Sequence, residues 1–294
     1  MQALIPVTPT DRQTFLQRTL AFKAYEIEEL ADVWFFRPAG AVLAYAARFL
    51  RLTPSEVTVC GGVVGVLAGS LLYDERYGLV GFALLIMHGV LDSADGQLAR
   101  LTGQTSELGK VLDGVAGYAT HAAIYIAIVA GHVSRGGSPW FTLWAVAAIA
   151  SNVLHAQMYD YHRITYASIV VHGEVPHEEV RRVPARWARA VLAVYRRAQR
   201  RMIGRHADVE SAIAARATGG RVAEADRARY RASFYRLVRG WNVFGDNTRF
   251  YAIGLLAWWH ALDWFPVFVA VPMNVALAVL WLLQRRADRR FLAV

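Results

Sequence analysis

Asp92, Asp95 and Asp113 stand at the margins of long apolar runs, in the stretch LDSADGQLARLTGQTSELGKVLDGVAG from Leu91 to Gly117. Helices entering hydrocarbon ordinarily carry no charge there, so such residues are functional suspects. Asp92 and Asp95 are three apart, which on a helix turns both side chains to one face, within reach of one cation. Asp113 follows on the next apolar segment. Gly96 and Gly109 bare the backbone to a close-lying ligand. Arg100, one turn beyond Gly96, has the planar fork that meets phosphate oxygens bidentately. Carboxylates, an arginine and bare backbone on adjoining helices describe a site for a divalent metal holding a diphosphate. Hard oxygen ligands favour Mg²⁺ or Mn²⁺ over zinc, and the single Cys60 offers little thiolate alternative. Lys110 reads equally as a phosphate partner or as a marker of the membrane edge.

The elements that must position these residues are membrane helices. The 294-residue chain is 55% apolar, with 9 Trp, and its mean hydropathy is +0.27. The apolar residues are gathered into runs, which indicates a multi-pass membrane protein rather than a soluble domain. One cysteine excludes a disulfide framework, and the N-terminus lacks the basic start and apolar core of a cleavable signal peptide. The expected fold is an all-α integral membrane bundle of six transmembrane helices, at about Ser55–Leu72, Gly78–Leu91, Leu108–Ala130, Trp140–Met158, Thr248–Leu262 and Phe265–Leu283. The second and fifth are short.

Residues 1–53 read as a cytoplasmic arm followed by an interfacial amphipathic helix over Ala39–Leu50, with a break near Arg37 because Pro38 lacks a backbone donor and crowds the preceding turn. Pro54 suits the first turn of the next helix. Residues 54–162 are the membrane core with the motif-bearing helices, 163–240 a basic cytoplasmic insertion, and 241–294 the last two membrane helices with a basic tail. The stretch VPARWARAVLAVYRRAQRRMIG within the insertion segregates apolar and basic residues as a solvated or headgroup-facing helix does. The net charge of +9 is mostly arginine, with ten arginines between Arg163 and Arg205. The positive-inside rule places this connection, the tail and the Asp92–Gly109 site in the cytoplasm. Membrane tethering accounts for the basicity without nucleic acid.

Asp92, Asp95, Gly96, Ala99, Arg100, Gly109 and Asp113 together reproduce the spacing of a known signature: Asp, two residues, Asp-Gly, two residues, Ala-Arg, eight residues, Gly, three residues, Asp. On these residues the chain resembles the CDP-alcohol phosphotransferases. In that family a further aspartate follows four residues later as metal ligand and general base; here the position is Gly117. The family also commonly carries Thr-Pro-Asn with a threonine three residues on, where this chain has Thr53-Pro54-Ser55 and keeps Thr58. The resemblance implies a six-helix core in the cell (inner) membrane and an active site facing the cytoplasm. It further implies metal ligation by Asp92, Asp95 and Asp113, with Gly96, Ala99, Arg100 and Gly109 lining the nucleotide and diphosphate. The implied reaction moves a substituted phosphate group from a CDP-linked donor, most commonly CDP-diacylglycerol, to an alcohol acceptor, releasing CMP. The rival reading is a catalytically silent relative that binds nucleotide or lipid as a scaffold. Expected partners are donor, acceptor and membrane lipids, with a homodimer left open.

Other polar residues admit two readings. His88 reads as hydrogen-bonded inside the bundle, with a ligand role as the alternative. His121 lies on the face of Asp113 and Gly117, as an interior histidine or as the base that replaces the missing aspartate. Asp246, Asn247, Thr248 and Arg249 open the fifth span, as a helix cap or as acceptor ligands, with capping favoured. Trp258, Trp259 and Trp264 read as interfacial belt residues.

Overall fold

The computed structural model describes residues 25–176 and 201–293. They form helices and turns, with only two isolated β-bridges. In chain order the helices are α1 (Arg37–Phe49), α2 (Pro54–Leu71), α3 (Gly78–Thr102), α4 (Glu107–Ser134), α5 (Thr142–Tyr166), α6 (His206–Arg216), α7 (Glu224–Trp241), α8 (Asp246–Trp258), α9 (Trp264–Ala270) and α10 (Pro272–Leu292).

Among the described residues five stretches are long and apolar enough to cross a membrane: Pro54–Leu71, Glu75–Thr102, Glu107–Ser134, Pro139–His172 and Trp264–Leu292. The sequence suggests a sixth at Thr248–Leu262, but the helix there, α8, has 13 residues. At 1.5 Å per residue it extends about 20 Å, short of a ~30 Å hydrocarbon layer. Pro38 does not break the chain either. A π-helical turn over Asp32–Phe36 runs directly into α1, with the Arg37 N–H donating to the Asp32 carbonyl. The wider turn accommodates a proline whose ring would crowd an α-helical carbonyl four residues back.

The residues divide into two compact units. The first comprises Leu30–Ala145 and Arg249–Pro266. In it α2 lies between α3 and α4 through a glycine stripe. A Cβ on Gly61 would stand 3.3 Å from Leu91 Cβ, one on Gly62 2.9 Å from Ala116 Cβ and one on Gly69 2.8 Å from the Ile124 nitrogen, while one on Gly65 would collide with Thr120 Oγ1. Small residues let backbones approach where lipid gives helices no hydrophobic reason to associate. Gly65→Val is therefore expected to cost about 1–3 kcal/mol of overpacking, read as a lower melting midpoint in detergent; an unchanged midpoint would disprove the close approach.

Against the other side of α3 lies α1. Gly40 meets Ser93, Ala44 and Ala47 pack with Val57, Ala94 and Leu98, and the Gln97 amide donates to the Arg37 carbonyl at 2.9 Å. Thus the expected interfacial helix has one face on the motif-bearing helix, while Val42, Tyr45 and Phe49 are exposed. At the far end of α4, Asp263 accepts from His132 Nδ1 at 2.8 Å and Arg135 Nη2 at 2.7 Å.

The second unit comprises Glu26–Glu29, Val146–Thr248 and Val267–Val294. Several side chains of the expected 163–240 insertion are buried here. Tyr230, Phe234 and Trp241 of α7 are wholly buried, and His206 Nε2 lies 2.9 Å from the Tyr230 hydroxyl while its Nδ1 lies 2.8 Å from Asp288. The basic stretch beginning at Val183 lies largely outside the described residues. The acidic residues Glu26, Glu28 and Glu29, at the end of the expected arm, are all paired. Glu26 pairs with Tyr166 and Arg231, Glu28 with Arg163, and Glu29 with Tyr159 and Asn247.

Candidate active site

The motif occupies the C-terminal end of α3, the turn after it and the N-terminal half of α4. α3 stops at Gly103, whose φ of +67° is the left-handed conformation glycine adopts without strain. α4 starts at Ser106, whose Oγ accepts the Gly109 N–H at 2.9 Å. A Cβ on Gly109 would sit 3.1 Å from that oxygen and 3.7 Å from Ser55 Oγ, so the motif glycine lets the α4 cap close against the start of α2. That start is fixed by a capping box: the Glu56 carboxylate accepts the Thr53 N–H at 2.7 Å, and Thr53 Oγ1 accepts the Glu56 N–H at 3.3 Å.

Of the three motif aspartates only Asp95 is buried; Asp92, Asp113 and Arg100 are exposed. Thr58 Oγ1, on α2, lies 2.6 Å from Asp95 Oδ2. The charges acting on Asp95 include Asp113 from α4 and Arg100 from its own helix. Arg100 folds back across the bare surface of Gly96, its Nη1 3.4 Å from where a Cβ would stand. The fold thus places Asp95, Asp113 and Arg100 in one electrostatic neighbourhood, with Gly96 beneath the guanidinium and Ala99 half-buried beside it. Among the described residues no three His, Cys, Asp or Glu side chains are drawn together tightly enough to hold a metal ion. The donor chemistry still fits a hard divalent cation: the groups are carboxylate oxygens, one held by a hydroxyl and two at the surface. Lys110 pairs with Glu107 at 2.8 Å, both exposed, an interaction of little energetic weight.

Gly117 has open space around it: a Cβ would meet nothing within 4 Å, and the same is true of Gly114. His121, half-buried one turn further on, turns back so that Nδ1 lies 2.9 Å from the Gly117 carbonyl. A carbonyl only accepts, so Nδ1 carries the proton, and in the neutral ring the lone pair is on Nε2. Phe250, from α8, stacks on this ring with centroids 6.4 Å apart. His88 is buried, its Nδ1 2.9 Å from the Gly61 carbonyl, as an interior histidine should be. Asn247 donates to Glu29 at 2.8 Å, and Arg249 is buried at 3% exposure. Trp258, Trp259 and Trp264 are exposed.

The sequence offered Thr58 only as a threonine that the family also carries, and it did not single out Phe250. Thr58 did leave a signal, since it shares the helical stripe of Gly61, Gly65 and Gly69 that faces α3. Phe250 left none, because an aromatic in an apolar run looks the same wherever it points.

The profile describing CDP-alcohol phosphatidyltransferases matches residues 51–197, half of the chain. The chain belongs to this family. All seven matching motif positions, and Gly117, lie within the matched residues. A curated protein similar to this chain is the archaetidylinositol phosphate synthase of Pyrococcus horikoshii, 33% identical over 94 residues, which are 32% of this chain and 50% of that protein. The chain therefore spans about half the length of the curated relative it matches.

Proposed function

We propose that the chain is a membrane transferase that moves a substituted phosphate group from a CDP-linked donor, CDP-diacylglycerol, to an alcohol acceptor and releases CMP. One observation carries this: Asp92, Asp95, Gly96, Ala99, Arg100, Gly109 and Asp113 keep the family spacing, and the charges of Asp113 and Arg100 both act on the buried Asp95. In the reaction a lone pair of the acceptor oxygen forms a new bond to the donor's lipid-side phosphorus. The bond from that phosphorus to the bridging diphosphate oxygen breaks, its electrons leave with CMP, and the acceptor proton passes to a base.

Asp92, Asp95 and Asp113 would hold Mg²⁺ or Mn²⁺, which when bound neutralises diphosphate charge. Arg100 meets the phosphate oxygens, and Gly96 and Ala99 leave room for the nucleotide. His121, with its lone pair on Nε2, is the proposed base in place of the missing aspartate. The name of the Pyrococcus relative brings inositol phosphates into the acceptor panel. An acceptor bearing its own phosphate is also one that can assist its own deprotonation.

The test is CMP release by purified protein from CDP-diacylglycerol with Mg²⁺ or Mn²⁺, across glycerol-, inositol- and sphingoid-type acceptors and their phosphates. Release that depends on both metal and acceptor is expected. Gly117 favours a second reading, a silent family member that binds nucleotide or lipid as a membrane scaffold. Donor binding without turnover on any acceptor would select it.

The arginine distribution supports a site in the inner membrane facing the cytoplasm, with the 163–240 connection on the same side. A cysteine introduced at Ser211, with the exposed Cys60 replaced, is expected to resist an impermeant thiol reagent in intact cells and to react after lysis. Efficient labelling from outside would invert the topology.

A further inference from the structure

Asp95 and Thr58 are 37 residues apart in sequence, and both are buried, at 9% and 7% exposure. A threonine inside a helix ordinarily returns its hydroxyl proton to the carbonyl four residues back. Here that carbonyl, of Pro54, is 3.0 Å from Oγ1, while Asp95 Oδ2 is 2.6 Å away. The shorter separation lies in the range of charge-assisted O–H···O⁻ bonds, and an ionised carboxylate is the stronger acceptor, so the single proton points to Asp95. The approach is fixed by backbone packing. Thr58 continues the stripe of Gly61 and Gly65, where the missing side chains bring α2 onto α3 at Leu91 and His88.

We propose that Thr58 is a positioning residue. Its hydroxyl occupies Oδ2 and sets the rotation of the Asp95 carboxylate, so that the other oxygen is presented to the cation and donor diphosphate. This rests on the reading of Asp95 as a ligand. Without the hydroxyl the carboxylate turns in its pocket and must be reordered at each binding event. A hydrogen bond to a charged group contributes about 1.5–3 kcal/mol, which converts to a ten- to hundredfold change in binding.

The experiment titrates Mg²⁺ into purified full-length protein with CDP-diacylglycerol and follows donor binding by calorimetry, in wild type, Thr58→Val, Thr58→Ser, Thr58→Ala and Asp95→Asn. The Mg²⁺ concentration for half-maximal binding is expected to rise ten- to hundredfold in Thr58→Val. Thr58→Ser and Thr58→Ala lack the same methyl group, so their difference isolates the hydroxyl even if Thr58→Val does not fold: Ser is expected within about fivefold of wild type, and Ala to shift as Val does. Equal midpoints in Ser and Ala, while Asp95→Asn loses binding, would overturn the role of Thr58 and leave the donor-site reading intact. Metal-independent donor binding, or binding unaffected by Asp95→Asn, would overturn both.

Discussion

Asp95→Asn is expected to abolish metal-dependent binding of CDP-diacylglycerol and to reduce transfer by about a hundred- to ten-thousandfold. The substitution keeps the side chain's shape, and the Thr58 hydroxyl still finds a carbonyl-type acceptor, so the α2–α3 contact survives. What is lost is the charge of the one buried carboxylate in the site. Removing one partner of a buried charge interaction costs about 3–5 kcal/mol, and each 1.4 kcal/mol is a tenfold change. Asp92→Asn and Asp113→Asn remove exposed carboxylates, whose interactions water already screens, and each is expected to weaken binding by about ten- to a hundredfold. Calorimetry with donor and Mg²⁺ reads all three, with the melting midpoint in the absence of donor as the control for folding. Undiminished donor affinity in all three variants would sink the metal assignment.

The motif was legible because its information is local. Asp92, Asp95, Gly96, Ala99 and Arg100 lie within three turns of one helix, and Gly109 and Asp113 open the next, so spacing alone brings them to one end of α3 and α4. The runs that mark α2 to α5 were legible for the same reason. The pairings between distant segments were not. The acidic residues before Trp34 read only as part of a cytoplasmic arm, and Glu26, Glu28 and Glu29 are held by Tyr166, Arg163 and Tyr159, each 130 or more residues away. Nothing near them announces those partners. Helix length at α8 was similarly hidden, since the apolar run continues past Trp258 while the backbone turns, with His260 at a φ of +51°. Pro38 shows a local rule absorbed by context: the missing donor and crowded ring were correctly anticipated, and a π-helical turn took them up without breaking the chain.

His121→Ala is expected to reduce transfer by about a hundred- to ten-thousandfold, the usual contribution of a positioned base, while leaving donor binding within about twofold of wild type. Asp113 and Gly117 are one turn apart on α4, so the family's final carboxylate would have stood about 6 Å along the axis from Asp113. His121 is a further turn away, but its ring leans back to the Gly117 carbonyl, as long side chains on a helix lean towards the N-terminus. With Nδ1 engaged there and Phe250 against the ring face, the lone pair of the neutral ring lies on Nε2, the nitrogen that would accept the proton under this proposal. Under this proposal the open space at Gly117 is where the acceptor would approach that nitrogen. It also makes a reciprocal test feasible, because a side chain at 117 meets nothing within 4 Å. Adding Gly117→Asp to His121→Ala is therefore expected to recover part of the lost transfer, since it restores a carboxylate at the family position without displacing a neighbour. His121→Gln, which keeps a polar side chain but accepts no proton at neutral pH, should fail as His121→Ala does. Full turnover in His121→Ala on the preferred acceptor would remove the histidine from the chemistry and transfer the base's role to the acceptor's own phosphate. Turnover that appears only when Gly117→Asp is introduced into the otherwise wild-type chain would instead mark the protein as a silent relative.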